Sequence, residues 1–188
     1  ATYLGDQVEL TTHDIDEALV ANSAIVYIEG YLWDSERAQQ AIQHTLTLAE
    51  NFGTSVALSL SDPFCVSRHR HGFLALIDRY VDILFANEQE IITLTGTQEF
   101  ETAARQIARR CPLSALTRGA KGSVVVTPDY YHVEPSIQDT PVIDTTGAGD
   151  LYASGFLYGI TKGYRLEDAA ALGTLTASHI IGQLGARS

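Results

Sequence analysis

The chain has 188 residues, of which 45% are hydrophobic and 19% charged, a composition that supports one globular domain with a substantial core. Its net charge of -11 opposes a phosphate backbone, and no window supplies the roughly eighteen uninterrupted apolar residues of a membrane span, so neither nucleic acid nor a membrane is an expected partner. Cys65 and Cys111 lie far apart and form no C-x-x-C pair, no secretory signal opens the chain, and a reduced, cytoplasmic setting is therefore expected.

In chain order, residues 24–28 form a short apolar run that predicts a buried strand, and Ala38, Ala41, Ile42, Ala49 and Phe52 then recur at helical spacing behind a candidate Asp34 cap. Residues 55–60 predict a second strand. The run Arg68-His-Arg-His71 brings two histidines close enough to suggest a metal, but their alternation with arginine predicts a solvated basic helix face. Residues 81–85 and 113–117 predict a third and a fourth strand; Phe100, Ala103, Ala104, Ile107 and Ala108, after Thr97, predict a helix between them. Residues 123–127 and 131–134, joined by Pro128-Asp-Tyr, predict a hairpin. Two helices are expected over 150–162 and 166–182, with Gly185 as the stop, and Tyr152, Phe156 and Leu157 are expected in the core. Strand and helix alternate as right-handed crossovers require, which predicts an α/β fold: a mostly parallel sheet with helices on both faces.

Ligands of such sheets collect at the carboxyl ends of the strands. The segments to inspect there are Glu29-Gly30, Ser61-Asp62, 87–90, 118–122 and 144–150. The last reads Asp144-Thr-Thr-Gly-Ala-Gly-Asp150. Gly147 and Gly149 allow unusual dihedrals and a close backbone approach, and with Ala148 they open a helix whose free N–H groups suit an anion. Asp150 at the helix start can take a proton from an attacking hydroxyl. A capped strand-to-helix turn would have the same composition. In Asn87-Glu-Gln-Glu90, three-residue spacing puts Asn87 and Glu90 on one helical face, able to hold hydrated magnesium or a water near phosphates; a capping box is the alternative. In Thr117-Arg-Gly-Ala-Lys-Gly122, Gly119 and Gly122 expose N–H groups while Thr117 and Arg118 offer a hydroxyl and a cation to nucleotide phosphates; an ordinary glycine turn is the alternative.

Taken together, the Asp144 to Asp150 string, the Asn-x-x-Glu element and the Thr-x-Gly-x-x-Gly segment, in this order, resemble the PfkB (ribokinase-like) family of carbohydrate and nucleoside kinases. Tyr3-Leu-Gly, Glu29-Gly-Tyr-Leu-Trp-Asp34, Leu60-Ser-Asp-Pro-Phe-Cys65 and Gly185-Ala-Arg187 are most similar to its bacterial adenosine-kinase-like members. The resemblance implies a ribokinase-like fold, ATP as co-substrate, Mg2+, and transfer of the γ-phosphate to a primary hydroxyl of a nucleoside, adenosine in particular, or a ribose-like sugar. It implies that Gly147 to Gly149 form the anion hole, that Asp150 is the base, and that Asn87 and Glu90 serve the metal. It further implies an adenine-site residue at Thr174 and a monovalent cation, such as K+, near Asp144, Thr146 and Gly185, with Ile180 and Gln183 less securely placed and Ile180 expected to pack instead. It covers all 188 residues but only about the C-terminal half of a typical member, so the chain is expected to be a single nucleotide-binding and catalytic domain lacking the N-terminal substrate-binding strands and lid through which a homodimer would form. The alternative is a catalytically incompetent nucleotide-binding fragment or regulatory module.

Overall fold

A computed structural model describes residues 9–137 and 141–185; Tyr3-Leu-Gly and Arg187 lie outside the described residues. Six strands form one sheet in the order of the sequence: β1 (Ile25–Glu29), β2 (Ser55–Ser59), β3 (Ile83–Asn87), β4 (Leu113–Thr117), β5 (Ser123–Thr127) and β6 (Tyr130–Glu134). The first four are parallel; β5 and β6 return antiparallel as the expected hairpin.

Because each parallel strand is added on the same side of the one before, right-handed crossovers lay every intervening helix on one face. That face carries α2 (Glu36–Phe52), α3 (Pro63–Arg79), α4 (Glu88–Thr95) and α5 (Phe100–Ile107), packed on Val56, Leu58, Leu84, Leu116 and Val124. The alternate side chains of the same strands, Ala57, Ile83, Phe85, Ala115 and Val125, point the other way. They are covered by α6 (Ala148–Thr161) and α7 (Leu166–Ile181), whose Tyr152 and Phe156 are core residues as expected. A short helix, α1 (Glu17–Asn22), precedes β1.

The ends of the elements depart from sequence expectation for identifiable reasons. Asp34 does not cap α2: it closes a 3-10 turn, Gly30–Asp34, and the extended Ser35 accepts from Ala38 N instead. Phe52 is not on the buried face; it is exposed at the helix end. The third strand starts after Asp82, whose carboxylate is held by Val56 N. Glu99, not Thr97, occupies the cap position of α5. Helix α6 starts two residues before Asp150, because Gly147 adopts φ 79 at its N-cap, and α7 ends at Ile181, ahead of Gly185. Nor is the Arg68 to His71 run simply a solvated face. Arg68 and His69 bind Asp34, and Arg70 donates to the carbonyls of Leu94 and Thr95 at the end of α4.

Candidate active site

Since β1 to β4 run parallel, their carboxyl ends open on one edge of the sheet, where the start of α6 crosses them. Two clefts meet there. One, of about 410 Å³, is bounded by Glu29, Ser61, Asn87, Thr117, Gly149 and Asp150. The other, of about 400 Å³, lies between the Gly119 to Gly122 turn and α7, with Val142, Ala148 and Thr174 in its walls. Asn87, Thr117, Gly149 and Tyr152 belong to both. The structure thus brings the three sequence motifs to one place, with the first turn of α6 as the partition.

The partition is built by glycine. Gly147 supplies the left-handed residue from which the helix starts, and a Cβ on Gly149 would meet no atom within 4 Å. The amide groups of a first helical turn have no intrahelical acceptors, so this end presents N–H donors and the positive end of the helix dipole. Asp150 is exposed in that same turn. Behind it, the buried Tyr152 hydroxyl donates to Ser123 Oγ at 2.9 Å, tying α6 to β5.

Asn87 and Glu90 form the capping box of α4. Glu90 accepts from Asn87 N and Asn87 Nδ2, both at 2.8 Å, and Asn87 Oδ1 accepts from Glu90 N at 2.9 Å. Burial pushes the Glu90 carboxyl up to about 7, outweighing the Asn87 backbone N–H that favours its charged form; Asp62 and Glu29 add to the rise. Glu90 is buried, at 5% exposure, with one bond already on each carboxylate oxygen, so this pair does not present a carboxylate for direct ligation of a metal ion. It fits contact with a hydrated ion through water.

Arg118 is not brought into either cleft. Its guanidinium lies 3.9 Å from the Phe100 ring centroid and pairs with Glu88 and Glu101 on the far side of the turn. Glu88, held below the usual carboxylate range chiefly by Arg118, also pairs with Lys121. Gly122 is constrained by packing: at φ 83, a Cβ there would stand 2.0 Å from the Glu134 carbonyl oxygen. Gly119, at φ 57, faces open space. No Lys, Arg or His lines either cleft among the described residues.

Asp144, Thr146 and Gly185 do come together. The Asp144 carboxylate accepts from Thr146 Oγ1 at 2.7 Å, Thr146 N at 2.9 Å and Gly185 N at 3.0 Å. The Thr146 hydroxyl and amide, then the Gly185 amide, hold it below its ordinary range. Thr174 is buried in the wall of the second cleft, whereas Ile180 is packed in the interior at 3% exposure.

Sequence reading gave no role to Glu29, Tyr31 or Ser61, which also line the first cleft. Their signal was position alone, at the carboxyl ends of β1 and β2. Ser61 has φ 62, an uncommon conformation for a residue with a Cβ, and is held there by bonds from its hydroxyl to Glu29 and from Gly30 N to its Oγ. A Cβ on Gly30 would come within 2.6 Å of Ser59 O, so only glycine lets the two strand exits press together. Burial, followed by the Glu29 charge and hydrogen bond, pushes the Tyr27 hydroxyl well above its usual range; it stays a neutral phenol beside this cluster.

The whole chain, residues 1–188, matches the model of the pfkB family carbohydrate kinases. A 5-dehydro-2-deoxygluconokinase of Shouchella clausii (strain KSM-K16) is 26% identical over 178 residues, 92% of this chain and 55% of the relative. A nucleoside kinase of Methanocaldococcus jannaschii is 36% identical over 112 residues, 60% of this chain and 36% of the relative. The crystal structure of adenosine kinase from Sinorhizobium meliloti superposes with a TM-score of 0.93 at 46% identity, covering 96% of this chain and 56% of that one. The chain therefore spans about half the length of the first of these relatives.

Proposed function

This chain belongs to the pfkB family of carbohydrate kinases, and from that premise we propose that it is the nucleotide-binding and catalytic unit of an ATP-dependent kinase acting on a primary hydroxyl of a nucleoside, adenosine foremost, or of a ribose-like sugar. The observation that carries the reading is the partition: the first turn of α6 borders both clefts, Gly149 lining the two and Asp150 the first, as transfer from a donor in one to an acceptor in the other demands. The 46% identity to a bacterial adenosine kinase favours adenosine as the acceptor.

In this reading the nucleotide occupies the cleft between the glycine turn and α7, with Thr174 near the base and its phosphates reaching the amides of Gly147 to Gly149. The acceptor lies in the cleft with Glu29 and Ser61. The acceptor oxygen attacks the γ-phosphorus, its proton passes to the Asp150 carboxylate, and the bond from phosphorus to the bridging oxygen breaks as ADP leaves. The helix N-terminus stabilises charge on the transferred group. Among the described residues no cationic side chain lines the clefts, and Mg2+, which Asn87 and Glu90 would hold through water, would supply the remaining charge neutralisation. The Asp144, Thr146 and Gly185 junction would hold the loop carbonyls to which a monovalent cation such as K+ binds.

The test is ATP-dependent phosphorylation of a panel of nucleosides and sugars by the full-length protein and by Asp150→Asn. Turnover should fall by at least about 10²-fold while ATP affinity is largely kept. Unchanged turnover removes Asp150 from this role, and ATP binding without transfer to any acceptor would favour the regulatory-module alternative.

A further inference from the structure

Away from both clefts, three side chains with different ligating atoms converge where the Gly30–Asp34 turn meets α3. Cys65 and His69 stand one helical turn apart and so face the same side of α3. Asp34 reaches them from the end of the turn. An Asp34 carboxylate oxygen, Cys65 Sγ and a His69 ring nitrogen all lie within 4.8 Å of one another. His69 Nε2 is 2.8 Å from Asp34 Oδ1, and Cys65 Sγ is 3.7 Å from the same oxygen. The helix is distorted at this point: His69 leaves helical geometry (φ -115, ψ 23) inside α3. The sulfur is fully buried, whereas the His69 and Asp34 side chains are 28% and 30% exposed, so the cluster is closed behind and open in front.

We propose that Asp34, Cys65 and His69 bind a zinc-class divalent cation, with water in the fourth position. One sulfur, one imidazole nitrogen and one carboxylate oxygen form a donor set suited to a borderline-soft late first-row ion. A tetrahedral ion at ordinary bond lengths holds its ligand atoms about 3.5 Å apart; here Asp34 Oδ1 stands 2.8 Å from the imidazole nitrogen and 3.7 Å from the sulfur, with all three atoms inside 4.8 Å. Arg68 donates from Nη2 to Asp34 Oδ2 and from Nε to Oδ1 at 3.2 Å. On cation binding it keeps the Oδ2 bond and fixes the carboxylate's orientation, as outer partners of metal ligands do. The competing arrangement is a hydrogen-bonded junction in which Asp34 accepts from Arg68 and His69, and the Cys65 thiol faces both Gly30 O at 3.5 Å and Asp34 Oδ1. Cation binding replaces the His69 and Cys65 contacts to Asp34 and releases the thiol proton to solvent. Such an ion would pin the turn carrying Tyr31, a wall of the first cleft, to α3.

The test is a Co2+ titration of the chelator-treated full-length protein. We expect one Co2+ per chain, a near-ultraviolet sulfur-to-cobalt charge-transfer band, displacement of that band by Zn2+, and a higher unfolding temperature with Zn2+. The band should vanish in Cys65→Ser and persist in Cys111→Ser. Because Cys65 is buried, His69→Gln provides the second variant: its metal-free unfolding temperature should match wild type while Co2+ binds at least about tenfold more weakly. Absence of stoichiometric binding by folded wild type, or equal binding by wild type and folded His69→Gln, overturns the proposal.

Discussion

Among single residues, Glu90 carries the clearest pH signature, because burial and its capping bonds act in opposite directions and burial prevails. Unfolded, its carboxyl titrates near 4.5; folded, at about 7. Between those values the native state binds more proton than the unfolded one, so the contribution is complete below the lower value and is lost as pH rises through the upper. The full swing is up to about 3 kcal/mol. The wild-type denaturation midpoint should therefore fall between about pH 5 and 8 relative to that of Glu90→Gln, which lacks the titration and gives up one acceptor of the capping box, about 1 kcal/mol at low pH. Parallel pH profiles for the two proteins would refute this account. Gly149 makes the opposite case, a residue whose substitution the fold should ignore. Its Cβ direction is open, so Gly149→Ala should leave the denaturation midpoint unchanged or slightly raised, by up to about 1 kcal/mol in helix propensity. ATP affinity measured by calorimetry should nevertheless drop, since the added methyl enters the space between the clefts.

At the scale of elements, α6 and α7 meet through glycines that admit no larger residue. A Cβ on Gly155 would stand 2.5 Å from Thr176 Oγ1 and 2.7 Å from Leu172 O, and one on Gly159 would stand 2.9 Å from the Ala169 backbone. Gly155→Ala should push α7 outward and destabilise by roughly 1–3 kcal/mol in a urea titration, the reverse of Gly149→Ala on the same helix. A midpoint equal to wild type would show that the interface yields more easily than its geometry implies. The strands and the α6–α7 pair were legible in advance because apolar runs and helical spacing are local properties. Their ends were less so: Gly147 starts α6 early by adopting a left-handed conformation that many glycines do not, and Asp34 was drawn from its expected cap to partners on α3. Arg118 had the composition of a phosphate ligand, yet Glu88 and Phe100, brought beside it only by folding, set its direction. For the same reason the left-handed Ser61 and its bond to Glu29 were marked only by their place at the strand ends. Motifs reveal which backbone comes to a site, and long-range pairing decides which side chains remain free there.

For the molecule as a whole, β1 forms one border of the sheet, paired only with β2 among the described residues, and a groove beside it runs from Ser23 to Tyr27 under Leu157 and Tyr158. Unpaired edges template association, which a net charge of -11 opposes by mutual repulsion. Raising ionic strength to about 1 M shortens the screening length to about 3 Å, so light scattering from the 188-residue chain should increase with salt. Ile25→Lys, which places a charge on that edge, should suppress the increase; association indifferent to this change would locate the contact elsewhere. The unreversed strand order has a further, temporal consequence. Strands β1 to β4, with the helices that link them, can pair one after another as the chain leaves the ribosome, each next to the last, but those helices all settle on a single face. The opposite face, with Phe85 and Val125, must wait for α6 and α7, and domains emerge at only about 5–20 residues per second. During that interval the nascent sheet has an apolar face without its lining. Asp150 and the turn around it arrive with the same late segment, so the act that completes the candidate active site also closes the core.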